Sequence, residues 1–426
     1  MLFVCQTEIT ETDPLFGLVI KGFLVLTLSL TEQVFLWGFL VATLLGALVN
    51  KTNFCTMGAV SDLVNMGSAS RMRAWVLAMA LAIVAVAVME FLQVFSLEST
   101  RTPYRTPHFL WIRYLLGGLI FGVGMTLASG CANKALIRLG GGNLKSVFVI
   151  LIAGSFAYLM GRASLYEIIF EPWVEAVAID LDRYAIYEQD LGSFVSGIFG
   201  VENLSGIRLF SGLFIGLVLL VFVFKSMSFR RDWSNILAGV SVGAAVVAAW
   251  YITGGPLGQE WMEAMEWEQE KPIGIAVQGL TFIGPMTNII TLILNPDNLF
   301  LIGFCMITLL GVVTGSFLYA VFSKSFRIEW FSSWKDFFNH VIGAALMGIG
   351  GVLAMGCTIG QGVSGVSTLA LGSFIAVTAI MLGSAITMKT QFYKMVYEDA
   401  SILSAFQTAL VDLRLLPKAL RKLEKV

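Results

Sequence analysis

Charge is what this chain has least of. Only 13% of its 426 residues are Asp, Glu, Lys or Arg, against 57% hydrophobic residues. So few charges cannot keep that much apolar surface in water, so a soluble architecture is excluded. The net charge of −1 gives no electrostatic footprint for a nucleic-acid partner. Histidine occurs only at His108 and His340, which argues against haem or a His-built metal centre. The five cysteines, Cys5, Cys55, Cys131, Cys305 and Cys357, are odd in number and contain no C-x-x-C, zinc or iron–sulfur spacing. The G-x-G in FGVGMTLASG belongs to no βαβ pattern, and no Gly-Lys-Ser/Thr follows it. No cofactor is expected. The start, MLFVCQTEITETD, has no basic n-region, so membrane insertion is expected to use the first spanning helix.

What is abundant is apolar sequence in helix-length blocks. Nine spans are expected, at 32–48, 74–95, 111–130, 146–160, 207–224, 233–252, 299–322, 341–355 and 370–388. An apolar stretch at 17–27 reads as an interfacial helix or an extension of the first span. The fold class is therefore an all-α polytopic membrane protein. Several spans are shorter than the roughly 20 residues a full crossing needs, and these end in glycine clusters, as helices that stop partway do.

The basic residues set an expected orientation. The loop 162–202 holds eight acidic residues against Arg162 and Arg183, and 255–271 holds five against one lysine; both read as external. Arg71/Arg73, Lys134/Arg138, Arg230/Arg231 and Lys324/Arg327 read as cytoplasmic, as does the tail after Val411, with five basic and two acidic residues. The N-terminus is expected outside and the C-terminus in the cytoplasm. Arg101, Arg105 and Arg113 fall on the outer side against this rule.

A repeat organises the chain. GGLIFGVGMTLASGC at 117–131 matches GAALMGIGGVLAMGC at 343–357 at seven of fifteen positions, the closing Gly-Cys included. Neighbouring blocks also correspond, and one extra helix at 207–224 inverts the second unit. Inverted repeats with broken helices are a transporter architecture. The expected division is an N-terminal segment 1–27, a first transmembrane repeat 28–165, an acidic external loop with a linking helix 166–232, an inverted second repeat 233–390 and a basic cytoplasmic tail 391–426. NFCTMGAVSD at 53–62 and GIAVQGLTFIGPMTNIITLIL at 274–294 read as re-entrant. Such backbone is tolerated at membrane depth only inside protein or beside an aqueous path. For the second piece a tenth spanning helix is the alternative, and Gly284-Pro285 argues for a break.

Cys55, Cys131 and Cys357 each fall where a helix gives way to irregular chain, whereas Cys305 lies in the apolar run FCMITLL and reads as a small buried hydrophobe. The three thiols suggest soft groups along a central path. They could donate to a passing anion, ligate a soft metal such as Cu(I), or form a disulfide or persulfide. Lys51, Arg71 and Lys134 could enrich an anion at the cytoplasmic mouth. Ordinary inside anchoring is the preferred reading for Arg71 and Arg73. Glu90, near a helix end, is the nearest approach to an ion-coupling carboxylate.

NKTNFCTMGAVSD at 50–62, LASGCANKALIRLGGGNLKS at 127–146 and LAMGCTIGQGVSGVSTLALGS at 353–373 together resemble the YeeE/YedE family of sulfur-transport membrane proteins, which includes thiosulfate transporters. The resemblance spans both repeats but leaves the acidic loop unexplained. It implies nine helices, pseudo-symmetric halves, re-entrant elements meeting at an hourglass centre, and passage of thiosulfate by successive S–H···S contacts. On this sequence those thiols fall at Cys55, Cys131 and Cys357, with Asn53, Asn133, Lys134 and Thr358 as further donors. The implied function is import of thiosulfate, or a related small sulfur-containing anion, across a bacterial inner membrane. Membrane lipid surrounds such a protein, and a cytoplasmic sulfurtransferase or sulfur carrier is a candidate partner. The rivals are a membrane scaffold for sulfur carriers and a thiol–disulfide enzyme.

Overall fold

A computed structural model describes residues 28–98, 100–200, 203–268 and 271–424. Cys5 and the expected interfacial stretch at 17–27 lie outside the described residues.

The first unit runs α1 (Leu30–Thr52), α2 (Thr56–Asn65), α3 (Ser70–Phe91), α4 (Trp111–Leu127), α5 (Ala132–Gly140) and α6 (Lys145–Gly161). Three short helices, α7 (Leu165–Ile169), α8 (Glu171–Ala176) and α9 (Leu191–Phe199), build the acidic loop. The loop's strand β2 (Ile179–Asp180) pairs antiparallel with β1 (His108–Phe109), which lies between α3 and α4. The linking helix α10 (Leu204–Phe224) and the short α11 (Met227–Arg230) follow. The second unit runs α12 (Trp233–Gly254), α13 (Pro256–Glu266), α14 (Ile283–Leu294), α15 (Phe304–Phe322), α16 (Trp334–Leu353), a π-helical segment Gly360–Gly365 and α17 (Leu371–Val396). The tail holds α18 (Ile402–Asp412), which packs on α17.

Among the described residues, eight helices are long and apolar enough to cross a membrane. The ninth expected span is α6. At 17 residues it reaches about 25 Å at 1.5 Å per residue, just under a full hydrocarbon core. Gly141-Gly142 before it and Gly161 at its end confine it. The segment 274–294 is not one long helix: extended chain leads into α14, which has only 12 residues.

The halves pack reciprocally. Helix α1 lies on α15 as α12 lies on α3, and α4 lies on α17 as α16 lies on α6. The two glycine-rich helices of the sequence repeat, α4 and α16, pack on each other. A Cβ on Gly124 would sit 2.6 Å from the Gly343 carbonyl oxygen, and one on Gly343 would sit 2.7 Å from that of Gly124. A Cβ on Gly350 would meet the Gly117 oxygen at 2.7 Å. In the alignment Gly117 matches Gly343 and Gly124 matches Gly350, yet 117 meets 350 and 124 meets 343. That exchange is what a two-fold axis across an antiparallel helix pair produces. Only glycine lets the backbones approach so closely.

The acidic loop is anchored, not free. Leu191 N donates to Leu369 O (3.1 Å) and Leu371 N to Gln189 O (2.9 Å), tying it to the turn after the π-helical segment. Beside this, Arg105 pairs with Glu90 (2.5 Å), and Arg208 pairs with Glu188 (2.6 Å) and Asp190 (3.0 Å). The arginines that ran against the expected orientation are thus occupied inside the protein. Arg101 caps Ile273 O (3.1 Å) and Arg113 caps Leu353 O (2.8 Å). Guanidinium groups consumed by buried carbonyls and carboxylates are not free to act as topological anchors at a lipid surface.

Candidate functional site

The turns LASGC and LAMGC close in the same way, bond for bond. Ser129 N donates to Thr126 O and Gly130 N to Met125 O; Met355 N donates to Val352 O and Gly356 N to Gly351 O. Ser129 and Met355 both take φ of 58°. This is the double-bonded left-handed helix end, held here by non-glycine residues that favour it poorly. Asn53 ends α1 in the same left-handed region, with φ of 56°. Each helix end therefore turns sharply, and a cysteine opens the helix that follows.

All three cysteines cap a new helix. The carbonyls of Cys55, Cys131 and Cys357 accept from Ala59 N (3.0 Å), Ala135 N (2.9 Å) and Gln361 N (2.8 Å). The first amides of each helix therefore have no intrahelical partner and face the cysteine end. Two of the sulfurs take one of them: Gly58 N donates to Cys55 Sγ and Gly360 N to Cys357 Sγ, both at 3.4 Å. In both cases the sulfur accepts, so the thiol proton stays available to another acceptor.

The structure brings these turns together. Thr56 Oγ1, one residue after Cys55, lies 4.0 Å from the Cys131 sulfur, and Thr358, one residue after Cys357, neighbours the same thiol. Cys131 and Cys357 are buried and Cys55 is half-buried. Lys134 and Asn133 follow Cys131 on α5, and both are buried. Lys134 Nζ donates to Asn53 Oδ1 at 2.7 Å, joining the Cys131 turn to the Cys55 turn. Asn133 Oδ1 and Thr358 Oγ1 are buried with no hydrogen-bond partner among the described residues.

On one side this cluster opens into a vestibule of about 440 Å³ whose walls include Asn53, Lys134, Arg138, Lys145, Arg327 and Asp336. With Glu329 also in the lining, four cations stand against two carboxylates, a net positive wall that suits an anion. Of the other basic residues named from sequence, Arg71 pairs with Asp62 at 3.3 Å and its guanidinium lies against Gly58, beside Cys55. Arg73 sits over the Phe222 ring at 4.6 Å. Lys51 is exposed on the last turn of α1.

Two residues behave differently from their sequence reading. Cys305 is buried as expected, but its thiol donates to Gln278 Oε1 at 2.9 Å, so it is more than a hydrophobic filler. Glu90 is bound into the arginine cluster by Arg105 and Arg208, which gives it a structural role. Nothing in the run FCMITLL marks Cys305 as a donor, because its acceptor is 27 residues away on an extended segment.

Comparison with known proteins agrees with this geometry. A family model described as "Sulphur transport" matches residues 51–386, which takes in all three cysteine turns. The chain is 25% identical over 352 residues to the thiosulfate transporter TsuA of Spirochaeta thermophila, covering 82% of this chain and 96% of that one. It is 24% identical over 366 residues to the thiosulfate transporter TsuA of Escherichia coli, covering 81% and 91%. Transport, not enzymatic chemistry, is the activity of this group. A match across more than three quarters of the sequence, with the cysteine turns inside it, makes this chain a member of the sulphur transport family.

Proposed function

We propose that this protein moves thiosulfate, or a closely related small sulfur-containing anion, across a bacterial inner membrane along Cys55, Cys131 and Cys357. The observation that carries the reading is the convergence of three cysteine-capped helix starts on one buried cluster. Helix N-termini favour negative charge through their unbonded amides and their dipoles. A thiol is a weak donor matched to a soft terminal sulfur, and several weak contacts in series allow release as well as capture.

Asn53 and Lys134 stand where the cluster meets the basic vestibule, and they serve as the inner hand-off. Thr358 offers the anion's oxygens a buried hydroxyl that has no partner among the described residues, and the Asn133 side-chain amide adds N–H donors beside Cys131. The vestibule opens to the cytoplasm in this reading, with the N-terminus outside. A cytoplasmic sulfurtransferase or sulfur carrier would take the cargo from there.

Uptake of sulfur-labelled thiosulfate into proteoliposomes tests the reading. Parent protein is expected to load vesicles well above protein-free controls, and Cys131→Ser and Cys357→Ser to lose most of that uptake. Equal loading of parent and empty vesicles sinks independent transport and favours a scaffold role. Full activity in both serine variants sinks the thiol path while leaving transport intact.

A further inference from the structure

Three tryptophans are fully buried: Trp75, Trp250 and Trp261. Two have conventional partners. Trp250 Nε1 donates to Ser367 Oγ at 3.2 Å, and Trp261 Nε1 donates to Thr31 Oγ1 at 2.9 Å. The Trp75 indole N–H has none among the described residues. A buried donor left unpaired is costly, and native proteins rarely keep one without a use for it.

Its position is informative. Trp75 is on the second turn of α3, wedged between the two turns that carry Cys55 and Cys357. Its ring stacks on Phe54, the residue before Cys55, with centroids 5.2 Å apart. On the other side its six-membered ring presses on Gly362, where a Cβ would come within 2.9 Å of Cζ3. Phe54 belongs to the first unit and Gly362 to the second, so the indole bridges the halves at the cysteine cluster. Thr358, one residue after Cys357, carries a second orphan donor there, its hydroxyl.

We propose that Trp75 binds the transported anion directly, its indole N–H donating to an oxygen of the anion as it passes between Cys357 and Cys55. This rests on the transport reading above and deepens it. The cluster then recognises both ends of one ion. Soft thiols take a terminal sulfur, and hard N–H and O–H donors, Trp75 with Thr358, take sulfonyl oxygens. The substrate class is an oxyanion with an exposed sulfur end, and an anion lacking either end loses half of its contacts. No signal in SRMRAWVLAMALA distinguishes this tryptophan, since a lone indole in a spanning helix ordinarily packs or sits at an interface.

Trp75→Phe keeps the ring and the Phe54 stack and removes only the donor. In proteoliposomes the variant is expected to raise the thiosulfate KM about tenfold or more, the usual effect of losing a hydrogen bond to a charged group. Without ligand its thermal midpoint is expected to equal or exceed that of the parent, because an unpaired buried N–H is gone. The stabilisation that thiosulfate gives the parent should shrink in step with the KM. A purely structural tryptophan would show the reverse: a lower unliganded midpoint and an unchanged ligand shift. Parent uptake with KM within twofold in the variant overturns the assignment alone. Absence of uptake by the parent overturns the transport reading and this assignment with it. If the variant does not accumulate, parent protein labelled with ¹⁵N at its indoles supplies the readout. One buried indole resonance should move on adding thiosulfate, and no movement overturns the proposal.

Discussion

Lys134 Nζ and Asn53 Oδ1 are 2.7 Å apart, although 81 residues separate them. The bond fastens the start of α5 to the end of α1, with the vestibule on one side and the thiols on the other. Lys134→Met removes the charge and leaves Asn53 Oδ1 unpaired; Lys134→Gln keeps a donor and loses only the charge. Uptake at low thiosulfate is expected to fall about tenfold or more in the Met variant, with the Gln variant between it and the parent. Raising salt should weaken parent uptake more than that of Lys134→Gln. Equal salt dependence would show that Lys134 has no part in attracting the anion.

The Gly124–Gly343 contact leaves no room for a methyl group. Gly124→Ala is expected to destabilise the protein by about 1–3 kcal/mol, the usual cost of overpacking, and Gly124→Val by more. Thermal unfolding in detergent measures this. An unchanged midpoint for both variants would mean that α4 and α16 separate without cost.

The outer arginine cluster predicts an acid limit. Burial works against the charge on Asp190, but the guanidinium groups of Arg105 and Arg208 outweigh it and hold its carboxyl below the usual 3.8. The stability it contributes is therefore complete above that value and is lost as pH falls through the folded one. Glu188 has the opposite sign. Burial lifts it above 4.5 despite Arg208 and Arg105, so its contribution is present at lower pH and is lost as pH rises through its folded value. The thermal midpoint should drop steeply below about pH 4 in the parent and more shallowly in Asp190→Asn. Parallel curves would remove Asp190 as the cause.

Cys305 separates a structural thiol from the proposed path. Cys305→Ser keeps a donor for Gln278 and is expected to leave uptake within about twofold, while Cys305→Ala strands a buried oxygen and lowers the thermal midpoint. Strong loss of uptake in the serine variant, with stability intact, would place Cys305 among the transporting thiols.

Orientation is open to a direct probe. Tyr187, in the acidic loop, is 72% exposed. Tyr187→Cys should react with a membrane-impermeant maleimide on intact spheroplasts. Reaction only after permeabilisation would invert the proposed topology.

The sequence by itself determined the membrane class, most helix positions and the two Gly-Cys turns. Those features are local: apolar runs a span long, and helix ends whose bonds reach back only three to five residues. The expected break at Gly284-Pro285 also marked the neighbourhood where extended chain gives way to α14. Tertiary structure alone decided the rest. It paired Gly117 with Gly350 and Gly124 with Gly343, turned Arg101, Arg105 and Arg113 inward, gave Cys305 its acceptor, and left Trp75 buried without one. Each of these depends on polar or close backbone contacts between segments far apart in the chain, and periodicity carries no information about which distant group a buried donor will meet.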